Sequence, residues 1–397
     1  MDRVDLWYHL KPCRYRPEVL RPRIVFYDKI IDNRVKWFNP ISLDLDYSIG
    51  SDKMIKLGLD IGTKNIVLAY QKEGKVRVKH EVNGFIKIPN TDNITKQLLD
   101  GGQVAYVERN GEFVALGKKA EDLAYAFNKT LYRPMSDGVI NGSAEESMEI
   151  MAVIIHSIIG ELEDDAILYY CIPADALNMK TNVAFHDKII QMIMKQYSGK
   201  KLDSFSINEA RALAIGQIPD KTGVAISMGA GMVNVSYTLY GIGIFEFSII
   251  GSGDKIDLDT AMKFGFDPNN PNGSYKETPT SVCRRKEGRI KNMPFSLREC
   301  PNDIVGKAIY INYHLMIDSV VRGIIDGFNA HSEKARIDRP IPIVFGGGTA
   351  MAEGLVDLAK EVFGKYDLPF EISGFRLAER PLYAVAEGCL AAATLHQ

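Results

Sequence analysis

Residues 57–70 read LGLDIGTKNIVLAY: an apolar strand delivers Asp60, the chain turns at Gly62-Thr63, and a second apolar strand leaves. A tight hairpin with glycine at its tip can aim successive backbone N–H groups at a phosphate, because the missing side chain permits both the backbone angles and the close approach. Asp60 at the strand end is then placed to hold the water shell of a phosphate-bound Mg²⁺, a cation that prefers carboxylate and water oxygens. A plain β-hairpin in which Asp-Ile-Gly-Thr only makes the turn satisfies the same residues.

Two further stretches repeat the device. GVAISMGAGMVNVSYTLYG (223–241) is again strand, turn and strand, with Gly229 and Gly231 in the turn. PIVFGGGTAMAEGL (342–355) ends a strand in Gly346-Gly347-Gly348, and Thr349 is expected to lead into a helix. Glycines before a helix N-terminus let the backbone lie flat against an anionic or planar ligand while the helix dipole favours negative charge. None of the three matches the Walker GxxxxGK[ST] or the dinucleotide GxGxxG, which disfavours a P-loop NTPase or a Rossmann dehydrogenase.

Around these turns the pattern alternates between strands and helices, the signature of an α/β chain. Strands are predicted at 56–70, 76–80, 103–108, 112–115, 166–172, 224–228, 232–240 and 341–345. Helices are predicted at 144–161, 179–197, 256–264, 303–329, 351–363 and 381–394. The two strand-turn-strand segments, 56–70 and 223–240, are each followed much later by helices, as a duplicated two-lobe protein would show. The Pro/Asn/Gly-rich and then basic segment 266–301 reads as an exposed subdomain or loop excursion.

The chain has 397 residues, 46% hydrophobic and 25% charged, with 48 Lys and Arg against 50 Asp and Glu for a formal charge of −2. That balance gives no global drive toward nucleic acid or an anionic membrane, so no nucleic-acid partner is expected and membrane contact is not evident. Five cysteines without CxxC spacing argue against a disulfide framework or a zinc ribbon and for a reducing, cytoplasmic setting. No signal peptide is visible at the N-terminus. The uncharged run 222–245 is long enough to span a bilayer, but its five glycines and its alternation read as strands and turns. The seven histidines are scattered singly, and neither GxSxG nor HExxH is present. His156, inside an apolar helical run, and Cys171, in AILYYCIP, both read as core residues. The Arg-Arg-Lys run at Arg284 reads as a solvated loop face.

Taken in order, the three glycine turns resemble the actin-like ATPase superfamily of actin, heat-shock chaperones and sugar kinases, with the nearest likeness to bacterial actins of the MreB and MamK type. LGLDIGTKN resembles the first phosphate motif, GVAISMGAGMVNV stands in the place of the second, and IVFGGGTAMAEGL resembles the adenosine motif. YRPMSDGVI, INEARALAIG, GSGDKIDLDTA and RPLYAVAEGCLAAA match further motifs at the expected intervals. The resemblance implies a two-lobe α/β fold, each lobe built on an RNase-H-like mixed sheet flanked by helices, with a nucleotide cleft between. It implies lobe I at 54–209, with a small subdomain at about 85–132 and completion by the C-terminal helix at 380–397. Lobe II follows at 210–379, with a small subdomain at about 258–309.

The same resemblance implies ATP and Mg²⁺ as cofactors and self-association into filaments. Asp60, Gly62, Thr63 and Asn65 would cradle phosphates, with Asp60 on the magnesium side. Ser227, Gly229 and Gly231 would face them, Gly346, Gly347, Gly348 and Thr349 would line the adenosine, and Glu209 falls on the water-positioning glutamate. A carboxylate on a rigid helix can orient and partly deprotonate an attacking water. KEGRIK resembles a Glu-x-x-Lys adenosine contact, although Glu287 and Lys291 are four apart where the family spacing is three. Ser227 and Met232 stand where the family has Asp and Thr. Losing a preorganised group of that kind costs about 10²–10³ in rate, so hydrolysis is expected to be slow or absent.

Three function classes follow: a polymerising cytoskeletal ATPase, an actin-like scaffold that hydrolyses weakly or does not polymerise, and a chaperone or kinase on the same fold. The last is disfavoured, because a substrate-binding domain is expected after the body of a chaperone and no kinase-type aspartate is found. Residues 1–53, with eight aromatics and nine Lys or Arg among the first fifty, are too aromatic for a flexible tail. They read as a docking segment for a cargo, an adaptor or a neighbouring subunit, or as an extra strand and helix packed on the body.

Overall fold

The computed structural model describes the backbone of residues 35–36 and residues 54–396, apart from 91–92, 128–129, 142–144, 161, 163–164, 196–201, 272 and 335–336. The aromatic and basic segment 1–53 lies outside the described residues except for strand β1 (Val35–Lys36).

An antiparallel meander, β2 (Ile55–Ile61), β3 (Asn65–Lys72) and β4 (Lys75–Val82), begins the body. A small unit follows: β5 (Phe85–Pro89), helix α1 (Asn93–Gly101), β6 (Tyr106–Arg109), β7 (Glu112–Leu116) and α2 (Gly117–Ala126). Its sheet runs β1-β6-β7-β5, with β1 pairing antiparallel at Val35↔Val107 and Lys36↔Tyr106. Next come the hairpin of β8 (Met135–Ser136) and β9 (Val139–Ile140), then α3 (Glu145–Ile159), β10 (Ala166–Ile172), α4 (Val183–Lys195) and β11 (Leu202–Asn208). Strands β10 and β11 add to the meander in parallel, giving the five-stranded order β11-β10-β2-β3-β4.

The second lobe repeats this plan. Helix α5 (Glu209–Gln217) leads to the meander β12 (Gly223–Met228), β13 (Met232–Leu239) and β14 (Ile242–Ile250). Helices α6 (Gly253–Lys263), α7 (Pro279–Lys286) and α8 (Ile304–Ala330) precede β15 (Ile341–Gly346), α9 (Leu355–Phe363), β16 (Ile372–Leu377) and α10 (Ala384–Leu395). The sheet order β14-β13-β12-β15-β16 is the first sheet over again, an antiparallel meander extended by two parallel strands. The two-lobe α/β fold with RNase-H-like mixed sheets is therefore as expected.

Each lobe has its own apolar core, and a third core lies between them. The alternate residues Leu57, Leu59 and Ile61 of β2 bury one face in the first core, under Ile154, Ile155 and Ile190. The core between the lobes is rich in small residues, Cys171, Ala212, Ala214, Ala225, Ala384 and Cys389 among them. Small side chains let α5 and α10 cross at backbone distance: a Cβ on Gly388 would overlap the Ala212 carbonyl, and one on Gly216 would come within 2.8 Å of Gly388 Cα.

Some elements agree with the sequence reading and others differ from it. The uncharged run 222–245 forms β12, β13 and part of β14, and among the described residues no helix is long and apolar enough to cross a membrane. Segment 266–301 is more structured than its composition implies: Thr278 and Ser281 cap α7 reciprocally, Pro279 begins it, and Val282, Phe295 and Leu297 are buried. The Arg-Arg-Lys run is correspondingly not a solvated face, since Arg285 and Lys286 are buried and ion-paired to Asp303 and Asp257.

Candidate functional site

Strand β2 ends at Ile61, and its turn is closed by Gly62 N donating to the Asn65 carbonyl at 2.9 Å. Parallel β10, beside β2, brings Cys171 under the turn. Its thiol donates to Asp60 Oδ1 at 3.2 Å, and its sulfur accepts from Ile61 N at 3.4 Å. Thr63 Oγ1 accepts from Gly138 N at 3.2 Å in the β8–β9 turn. From the other lobe, Gly231 meets both: a Cβ there would come within 2.6 Å of Gly138 N and 2.7 Å of Thr63 Oγ1. Only glycine lets these turns approach so closely, so the backbones around 62–63, 137–138 and 229–231 converge above Asp60.

Glu209 is the first residue of α5, whose start is fixed by Asn208 Oδ1 accepting from Arg211 N at 3.0 Å. Its carboxylate is held at both oxygens: Ser227 Oγ donates to Oε1 at 2.6 Å, and Asn234 Nδ2 donates to Oε2 at 2.8 Å. Burial raises Glu209 from the usual carboxylate range to about 8, and the Asp60 charge adds to that rise. Burial likewise raises Asp60 to about 6, partly countered by the Cys171 hydrogen bond. Two desolvated carboxylates that repel each other, below turns rich in backbone amides, are the donor set a hard divalent cation and its phosphate partner would satisfy.

The third turn packs on the second. Gly347 takes φ +87° and donates its N–H to the Pro381 carbonyl at 2.8 Å, while Thr349 Oγ1 donates to the Gly229 carbonyl at 2.7 Å. Thr349 does not lead directly into a helix as the sequence reading expected. A three-residue 3₁₀ turn (Thr349–Met351) intervenes, and Gly354 at φ +81° precedes α9. The helix start nearest these turns is that of α6, where Gly253 N and Asp254 N donate to the carbonyls of Gly229 and Ala230 at 3.3 and 2.9 Å.

Three expected contacts fall elsewhere. Asn65 places its side-chain oxygen 2.8 Å from His80 Nε2, so its part in the turn is played by its backbone. Glu287 caps the C-terminus of α7 and pairs with Lys64 at 2.8 Å, while Lys291 is exposed in the turn beyond. The lysine that reaches the site is Lys286, which donates to the Gly253 carbonyl at 2.8 Å and pairs with Asp257 at 2.8 Å, both side chains nearly inaccessible. The sequence reading also missed Arg133, which meets Asp254 at 2.6 Å. Among the described residues, the ion pairs Lys64 to Glu287 and Arg133 to Asp254 thus join the lobes. Cys171 is the buried strand residue expected, with a second role at Asp60, and His156 lies against the Ile193 carbonyl at 3.4 Å.

Duplicated sheets of this topology, with three turns converging between them, define an actin-like fold of the MamK and MreB type. The chain is similar to MamK in its double helical filament, with a TM-score of 0.63 and 16% identity over 87% of this chain and 100% of that one. It is also similar to MreB5 of Spiroplasma citri bound to ADP, with a TM-score of 0.55 and 19% identity over 85% of this chain and 95% of that one. The AMPPNP-bound form of the Spiroplasma citri protein gives a TM-score of 0.55 at 18% identity, with the same coverage. Residues 55–393 match the Volactin family, and the chain belongs to it. No curated protein matches the sequence.

Proposed function

We propose that this is an actin-like cytoskeletal protein that binds ATP with Mg²⁺ between its lobes, hydrolyses it slowly and polymerises into filaments in the cytoplasm. The carrying observation is the convergence of three backbone turns over the paired carboxylates Asp60 and Glu209. The nucleotide-bound forms of MreB5 and the MamK filament support the reading. The lobes divide at 209/210, with α10 returning to complete lobe I.

Phosphates would lie against Gly62, Thr63, Gly229 and Gly231; Asp60 would hold a hydrated Mg²⁺, which would supply charge neutralisation at the phosphates. Gly346 to Thr349, with Lys286, face the nucleoside. In hydrolysis a water oxygen bonds to the γ-phosphorus as the bond from that phosphorus to the β,γ-bridging oxygen breaks. The electron pair leaves on ADP, and Glu209 accepts a water proton. Met232 presses its thioether on the Asp137–Gly138 turn, and Ser227 offers no carboxylate. Both features favour slow turnover. The alternative they support is a nucleotide-binding scaffold without hydrolysis. An asymmetric subunit repeating one heterologous contact without ring closure yields an open filament.

Sedimentation and negative-stain microscopy with and without ATP and Mg²⁺, run beside phosphate release, test the proposal. Filaments that require nucleotide support it, and a concentration-independent monomer in ATP contradicts it.

A further inference from the structure

Strand β13 alternates strictly: Val233, Val235 and Tyr237 enter the lobe II core, while Asn234, Ser236 and Thr238 face the other way with no accessible surface. An asparagine so placed must find partners for its amide, since an unsatisfied buried polar group costs about 1–3 kcal/mol. The cross-strand register supplies them. Ser227 on β12 and Ser248 on β14 are the direct neighbours of Asn234 on β13, so three polar residues form a row across the sheet, beneath Glu209. Ser248 Oγ donates to Asn234 Oδ1 at 2.5 Å, and Ala174 N donates to the same oxygen at 3.2 Å. With two donors on the amide oxygen, the amide nitrogen is turned to Glu209 Oε2 at 2.8 Å.

The second donor has a particular origin. Ala174 lies just beyond β10 of lobe I, where the chain crosses to pair with β14 of lobe II: Ser248 N donates to the Asp175 carbonyl at 3.0 Å, and Leu177 N donates to the Ser248 carbonyl at 2.9 Å. Asn234 therefore links the Glu209 carboxylate to the segment that ties the lobes together. An aspartate would have the same shape but would set a charge against Glu209.

We propose that Asn234 is the positioning residue for Glu209, fixing the direction in which that carboxylate meets the attacking water, with its own orientation locked by Ser248 and by the crossing segment at Ala174. This rests on the nucleotide-hydrolysing reading above. The groups facing Glu209 are Asp60 on β2, Cys171 on β10 and Cys389 on α10, besides Ser227 and Asn234 themselves.

The test is a double-mutant cycle of Asn234→Ala and Glu209→Gln, read by steady-state phosphate release and by the melting shift that ATP–Mg²⁺ induces. Asn234→Ala should keep the melting shift and KM within about twofold of the parent, because Asn234 touches neither Asp60 nor the glycine turns placed against the phosphates and the nucleoside. Its kcat should fall about tenfold to a hundredfold, the cost of removing the support of a functional group. In the Glu209→Gln background the same substitution should have no further effect. Asn234→Asp should move the pH profile of phosphate release to higher pH by adding negative charge beside Glu209, a change that a merely structural role would not produce. If Asn234→Ala does not fold, Ser248→Ala, which leaves the asparagine in place but frees its amide, should lower kcat in the same direction. An unchanged kcat in Asn234→Ala, or an equal loss with and without Glu209, overturns the assignment. A parent protein that shows the melting shift but no phosphate release overturns it and leaves nucleotide binding intact; one with no melting shift overturns both.

Discussion

Ser227 Oγ donates to Glu209 Oε1 at 2.6 Å, so the residue standing where the resemblance calls for a magnesium-side aspartate acts instead on the glutamate. Exchanging that hydroxyl for a carboxylate would set two negative groups in direct contact. Ser227→Asp should therefore destabilise the nucleotide-free protein in EDTA by at least about 1 kcal/mol, with part of the loss recovered on adding ATP and Mg²⁺. Chemical denaturation under the two conditions checks this, and equal stability of variant and parent in EDTA would contradict it.

The raised carboxyls set the pH dependence. A carboxyl whose pKa is higher in the folded state than in the unfolded chain stabilises the fold most below its unfolded value and loses that contribution as pH rises through its folded value. For Asp60 the contribution is lost between the ordinary value of 3.8 and about 6, and for Glu209 between 4.5 and about 8. The nucleotide-free protein should thus lose stability from about pH 4 to about pH 8, by at most about 1.4 kcal/mol per pH unit for each group. Glu209→Gln should remove the upper part of that fall. Because hydrolysis needs the ionised glutamate, phosphate release should rise over the range in which stability declines. A Glu209→Gln variant whose stability follows pH as the parent's does would contradict the assignment.

The two ion pairs between the lobes should govern exchange more than stability. Lys64–Glu287 and Arg133–Asp254 are partly solvated, and pairs of that kind contribute about 0.2–1 kcal/mol. Release of a fluorescent nucleotide should accelerate by up to about fivefold in Lys64→Ala or Arg133→Ala and more in the double variant, with little change in melting temperature. An unchanged release rate in the double variant would count against opening of the lobes as the path of exchange.

Gly388 marks the tightest crossing in the core between the lobes, where any side chain meets the Ala212 carbonyl. Gly388→Ala should cost about 1–3 kcal/mol despite alanine's better helix propensity, because neither α5 nor α10 can retreat without disturbing both sheets. Urea unfolding measures it, and a neutral or stabilising outcome would mean that the helices are free to separate.

What the sequence carried most clearly was turn chemistry. The strands flanking Gly62, Gly229 and Gly346 alternate or run apolar, and the glycines fall where two backbones touch, so the duplicated meander was readable from local pattern. Strands β11 and β16 were not predicted: LDSFSIN is largely polar, and ISGFRL sits at a sheet edge with most of its residues exposed or half-exposed. Helix α7 was hidden because PTSVCRRK has almost no apolar face, although its Thr-Pro-x-Ser start was an available signal. Glu209, Asp60 and the glycines were singled out through the order of motifs, and the fold brings them together. Asn234 was not singled out because its contact with Glu209 depends on register across three strands, and Lys286, the first residue of KEGRIK, because it precedes the Glu-Lys pair whose spacing drew attention to Glu287 and Lys291.

The most direct test of the central claim, that ATP and Mg²⁺ bind over Asp60 between the lobes, is the melting temperature of the parent protein and of Asp60→Asn with ATP, each with Mg²⁺ and with EDTA. Ligand at a hundred times its dissociation constant adds about 2.7 kcal/mol of stability. The parent should show a clear rise in ATP and Mg²⁺ and a smaller one in EDTA, and Asp60→Asn should show no difference between the two conditions. No rise at millimolar ATP and Mg²⁺, or a rise whose magnesium dependence survives Asp60→Asn, would contradict it.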